Sequence, residues 1–124
     1  MGMKYEYHDA VVEKIEIQNE MIIIYLDLYP VLYKDEPKIK LCFSIINDID
    51  KCKYWVDRLI GEFDDGEDYL GARINKINIH TENDTLYDCL IDCDYMEELK
   101  FKSTLIRENE TGSAMVTDTI FKGI

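Results

Sequence analysis

Proline and glycine are scarce in this chain, 2 and 6 among 124 residues, and no Pro/Gly/Ser-rich stretch, low-complexity block or internal repeat interrupts it. That scarcity argues against a flexible linker between two folded units, and the length suits one domain spanning 1–124. Long apolar runs are also missing. The longest, MIIIYL at residues 21–26, is far too short to span a bilayer. The opening MGMKYEYHDA has no basic segment followed by an apolar core, so a cytoplasmic location is expected. Met1 and Gly2 read as a detachable prefix, because Met3 can serve as the start. Glu6 stands where a myristoylation signal needs Ser or Thr.

Positive charge is in deficit. Fourteen Lys and Arg face 26 Asp and Glu, a formal net charge of −12. A field of that sign repels phosphate backbones and anionic lipid, so neither nucleic acid nor membrane is expected as a partner, and a basic protein is favoured. The plainer alternative is that the charge only keeps the chain soluble. The hydrophobic fraction of 47% still provides for a folded core and argues against disorder.

Metal and redox chemistry have little to work with. Cys89 and Cys93 share one face of a strand, about 13 Å apart at about 3.3 Å per residue, too far for one zinc or one disulfide. Cys42 and Cys52 show no zinc-type spacing, and only two histidines are present. All four cysteines are expected as free thiols that pack as small hydrophobes, and no metal or cofactor is implied. Gly-rich phosphate loops and a nucleophile elbow are absent too.

What the chain does have is β pattern. Residues 10–29 hold two Val-, Ile- and Tyr-rich runs separated by Gln18, Asn19 and Glu20, the signature of a hairpin. Its second arm is apolar on both faces: Ile22, Ile24, Leu26 and Leu28 on one, Met21, Ile23, Tyr25 and Tyr29 on the other. Such a strand needs cover on both sides, and the helix carrying Trp55 is expected on one of them. A connection bracketed by Pro30 and Pro37 leads to a third strand, where Ile39, Leu41, Phe43 and Ile45 alternate with polar residues.

The period then changes. Cys52, Trp55, Val56, Leu59, Ile60 and Phe63 recur at helical spacing, predicting one amphipathic helix from about Lys51 to Phe63, with Asp48 or Asp50 as its N-terminal cap. Residues 73–80 predict a strand, Thr81 to Asp84 a turn, and residues 85–95 a strand with Tyr87, Cys89, Ile91, Cys93 and Tyr95 inward and its acids outward. Residues 99–107 continue the pattern with Leu99, Phe101 and Leu105 inward, Lys100 and Lys102 lying opposite Asp92 or Asp94. A turn at 110–113 precedes a weaker strand at 114–121. The fold class is α+β: a mostly antiparallel β-sheet or split sandwich with one helix packed on it.

Three constellations invite a function. Asp64, Asp65, Glu67 and Asp68 form an acidic loop that lacks the alternating ligands, central glycine and distal Glu of an EF-hand. With Asp88, Asp92 and Asp94 it offers a broad negative face for a basic partner, able to imitate a phosphate backbone; the solvated-loop reading stands beside it. His8 next to Asp9 suggests general-base chemistry, but strand neighbours point to opposite faces, which favours a structural role. His80, at a strand end, is the other candidate for a small enzyme. A third class is a structural subunit that pairs through a sheet edge.

The step Tyr7, His8, Asp9, Ala10 into the hairpin over residues 11–29 resembles small acidic bacterial proteins similar to the immunity proteins of polymorphic toxin systems. The resemblance covers about the first quarter of the chain. It implies a β-rich domain that binds and neutralises a cognate toxin, and it carries over no functional residue.

Overall fold

The computed structural model describes residues 5–29, 37–66, 69–111 and 118–120. The opening hairpin forms as β1 (Val11–Gln18) and β2 (Met21–Asp27). Asn19 and Glu20 both hold positive φ, 51° and 63°, the pattern of a type I′ turn, whose twist matches that of the strands it joins. β3 (Lys38–Ile45) then pairs antiparallel with β2 from Met21↔Ser44 to Asp27↔Lys38.

The second half repeats this plan. After α1 (Ile49–Phe63), strands β4 (Ala72–Asn83), β5 (Leu86–Cys93) and β6 (Leu99–Glu110) make another antiparallel meander, and β7 (Asp118–Ile120) pairs with the end of β6. The sheet order is β3-β2-β1-β4-β5-β6-β7, and an additional β3–β6 pairing closes six strands into a barrel. Two three-stranded meanders are thus joined first strand to first and third to third. A mostly antiparallel β fold with one helix is what the sequence led us to expect, but the sheet curls onto itself instead of splitting into a sandwich. The inward rows of all six strands thereby share one core, and most edges disappear.

That core explains β2. Ile22, Ile24, Leu26 and Leu28 are at most 2% exposed inside, and Ile23 on the outer face is also buried. The helix was expected to cover one face of β2 and does not lie chiefly there. It packs chiefly on β1 and β6, where Cys52, Trp55, Val56 and Leu59 join the core. It starts at Ile49, two residues before the expected Lys51. Asp48 takes the N-cap position in the left-handed region and makes no side-chain cap bond; its carboxylate sits instead 3.5 Å from Lys51 Nζ.

Pairing partners move several boundaries. β4 runs on through Thr81 to Asn83 because β5 pairs with it that far, so the turn shrinks to Asp84 and Thr85. β5 ends at Cys93, and Tyr95, expected inward, is 84% exposed at φ 64°. Ser103 keeps the inward phase of Leu99 and Phe101, and the irregularity beyond it, opposite Ser44 and Ile45, turns Ile106 and Glu108 inward and leaves Leu105 half-buried. Only β7 represents the weak last strand among the described residues; the Pro30–Pro37 connection lies outside them except for Pro37. All four cysteines are buried thiols outside any disulfide.

The two halves meet narrowly. β1 and β4 pair only at Val11↔Arg73 and Val12↔Ala72, with further backbone bonds at Asp9, Ala10, Gly71 and Leu70. From there the antiparallel strands diverge, and among the described residues β4 continues past β1 beside β5 alone.

Candidate functional site: the outer face of the helix and the β5–β6 loop

The acids expected to form one negative face are dispersed. Asp64 ends the helix and accepts the Gly66 N–H at 3.0 Å, with Asp65 beside it; Glu67 and Asp68 lie outside the described residues. Asp88 is met by Lys102 Nζ at 2.9 Å, and the same ammonium reaches Glu82. These carboxylates hold the Lys102 pKa above its usual value, chiefly through the Glu82 hydrogen bond. Asp92 stands directly opposite Lys76, and Asp94 is 3.0 Å from Arg73. Asp88 and Asp94 are about 20 Å apart along the strand. Lys102 and Arg73 thus interrupt the negative face on β5 at Asp88 and Asp94, while Lys76, opposite Asp92, turns its ammonium to Glu98 at 4.0 Å. The expected partners were also different: Lys102 faces Asp88 and Lys100 faces Leu90, not Asp92 or Asp94.

Unmatched negative charge appears elsewhere. On the solvent side of α1, Asp50, Asp57 and Glu62 are exposed and make no ion pair among the described residues. Asp50, Tyr54, Asp57 and Arg58 recur at helical spacing on one face. Tyr54 is 61% exposed, with the Arg58 guanidinium 6.0 Å from its ring. Arg58 also reaches Glu97 at 3.5 Å. The β5–β6 loop is fastened here because the buried Trp55 indole donates from Nε1 to the Glu97 carbonyl at 2.8 Å. The Tyr95 ring stands 6.4 Å from Phe63, which belongs to the apolar stripe of the helix, so Tyr95 lies beside the helix's C-terminal end and not on the face that carries Tyr54.

Exposed Tyr54 and Arg58, beside carboxylates that make no ion pair among the described residues, can take Lys or Arg side chains by ion pairing and by cation–π contact. Sequence reasoning missed both tyrosines. Tyr54 was readable, since it falls outside the apolar stripe among Lys51, Lys53, Asp57 and Arg58. Tyr95 was not, because alternation carried it inward.

The histidines form no comparable site. His8 and Asp9 sit in a turn with Asp9 at φ 65°, and His8 Nδ1 lies 3.1 Å from Asp9 Oδ2. The argument that strand neighbours diverge fails there, because the strand has not begun. The His8 side chain is 69% exposed, and Asp9 also lies 3.7 Å from Arg73. His80 is exposed along a surface groove of about 350 Å³ with Asp48, Lys51, Asp88 and Lys102, where Asp88 is already held by Lys102.

A larger groove of about 530 Å³ follows the β1–β4 seam between Asp9, Asp27, Lys38, Tyr69 and Arg73. Its charges are bonded to one another: Lys38 Nζ to Asp27 at 3.0 Å, and Tyr69 OH to the other Asp27 oxygen at 2.5 Å. Burial, then the Asp27 bond, raises the Tyr69 pKa, and the Asp27 bond raises that of Lys38.

Among the described residues no group of three or more His, Cys, Asp or Glu could hold a metal ion, and no helix is long and apolar enough to cross a membrane. Scans of protein-family models, curated proteins and solved structures return no match to this chain.

Proposed function

We propose that the chain is a cytoplasmic binding protein that engages a basic protein through the outer face of α1 and the β5–β6 loop. The most specific form of this reading is immunity-type occlusion of a basic toxin. The observation that carries it is exposed Tyr54 on one helix face with Asp50 and Asp57, carboxylates that like Glu62 make no ion pair among the described residues, while exposed Tyr95 extends the surface at the β5–β6 loop. Tyr and Arg supply most of the energy at protein interfaces, and a negative rim speeds encounter with a basic surface. Most ion pairs on β5 and in the seam groove have partners already, so a second protein gains little by meeting them.

Co-expression with the basic product of a neighbouring gene, followed by calorimetry on the purified pair, tests the reading. The double variant Tyr54→Ala/Tyr95→Ala is expected to lose at least about 30-fold in affinity, since each ring at a binding centre is worth about 2 kcal/mol. Binding should also weaken with salt. A double variant that binds as tightly as the parent, or neighbouring basic products that do not bind at all, defeats the proposal.

A further inference from the structure

We propose that the chain forms a two-fold symmetric homodimer by pairing the open edge of β4, residues 76–83, with the same edge of a second copy. This surface is separate from the helix face and stands whether or not a basic partner binds there. Barrel closure removes most strand edges, but among the described residues a stretch of β4 keeps one. Across the seam the last backbone bonds on β4 are Asp9 N–H to the Ile74 carbonyl at 2.9 Å and Ile74 N–H to Ala10 at 2.8 Å. Beyond them β4 pairs with β5 alone among the described residues. The segment is exposed except for half-buried Ile77 and Ile79. An open edge of this length is a template for another strand.

The backbone direction follows from the neighbouring bonds. Arg73 O accepts from Asp94 N–H on the β5 side, whereas Ile74 turns to β1. The register shift between Ile74 and Lys76 inserts Asn75 and moves that alternation by one residue. Ile77, Ile79 and Thr81 consequently present their N–H and C=O groups to the open edge.

Charge selects the occupant and the register. Antiparallel pairing centred on Ile79 places Ile79 against Ile79, Ile77 against Thr81, and Lys76 against Glu82 of the second copy, twice by symmetry. Sliding by one pairing step in one direction sets Lys76 against His80. Sliding the other way sets His80 against His80 and carries Lys76 out to Asp84 in the turn. Only the Ile79-centred register joins opposite charges within the strand. In the single chain Glu82 shares Lys102 with Asp88 and Lys76 lies 4.0 Å from Glu98; Lys102 keeps Asp88 when Glu82 turns to the second copy, and the loose Lys76–Glu98 contact yields to the cross-strand pair. The edge is thus self-complementary, with one Lys and one Glu, where a strand from a strongly basic partner would leave Lys76 facing like charge.

Light scattering and sedimentation equilibrium from micromolar to millimolar concentration test this. The mass is expected to climb from 14.6 kDa toward twice that value. Lys76→Glu and Glu82→Lys should each weaken association about tenfold by setting like charges opposite, and the double swap Lys76→Glu/Glu82→Lys should restore it. Circular dichroism verifies that each variant is folded. Amide exchange at Ile77, Ile79 and Thr81 should slow as concentration rises. A monomer at every concentration, a dimer indifferent to the single swaps, or a double swap that fails to restore association overturns the proposal.

Discussion

Trp55 joins the stability of the barrel to the shape of the proposed binding face, and Trp55→Ala is expected to destabilise the fold by about 3–5 kcal/mol. The side chain is 3% exposed. Burying about 200 Å² of indole at about 25 cal/mol per Å² gives about 5 kcal/mol as an upper bound, and the cavity left beside Leu59 and Val56 adds to what the truncation removes. Trp55→Phe isolates the polar part. It keeps most of the apolar area but deletes the N–H that holds the Glu97 carbonyl at 2.8 Å, costing about 1–2 kcal/mol for the bond and a small void. Urea denaturation followed by far-UV circular dichroism measures both, since removing the only tryptophan abolishes its fluorescence. The Phe variant should also quicken amide exchange through residues 94–98, because the loop loses its fastening. A Trp55→Ala cost below about 1 kcal/mol, or a Phe variant with an unchanged loop, refutes the placement of this helix.

Further outcomes follow from the core and the strained turn. Burial raises the Cys89 and Cys93 thiols from 9.0 to about 12 and Cys52 to about 11. The folded state therefore holds these protons longer than the unfolded chain, and their contribution is complete below pH 9 and lost as pH rises toward 12. Urea midpoints across pH 8–12 should fall more steeply for the parent than for Cys89→Ala/Cys93→Ala; equal slopes contradict the assignment. Tyr7 OH donates to Glu108, and both side chains are buried. Tyr7→Phe should cost about 1–3 kcal/mol, and a double-mutant cycle with Glu108→Ala should reveal coupling, which additive losses would rule out. Tyr95 holds positive φ with its ring in solvent, so Tyr95→Gly should stabilise the fold by about 0.5–1 kcal/mol while weakening partner binding. A destabilised Tyr95→Gly variant would mean the ring packs on Phe63 more than it strains the backbone.

Alternation and helical spacing made most elements legible. The hairpin, the inward rows of β3 and β5, and the stripe Cys52, Trp55, Val56, Leu59 are local patterns that neighbouring residues impose on each other. The site was much less legible. Asp88, Asp92 and Asp94 do line one side of a strand, but which cation meets each depends on the register of β4 and β6, and that register is not written in β5. Tyr95 follows the alternation of β5 on paper, yet the strand ends two residues earlier at Cys93 and the backbone turns left-handed to reach Met96.

By itself the sequence determined a β-rich fold with an amphipathic helix, an excess of acidic charge and thiols suited to the core, because composition and periodicity act through local contacts. Tertiary structure alone decided that the sheet closes into a barrel and that the helix lies on β1 and β6. It also decided that Asp88 and Asp94 meet Lys102 and Arg73 while Asp50, Asp57 and Glu62 make no ion pair among the described residues, and that β4 runs on past its short pairing with β1. Each of those depends on pairing between residues distant in the chain, where a slip of one position turns every side chain to the other face.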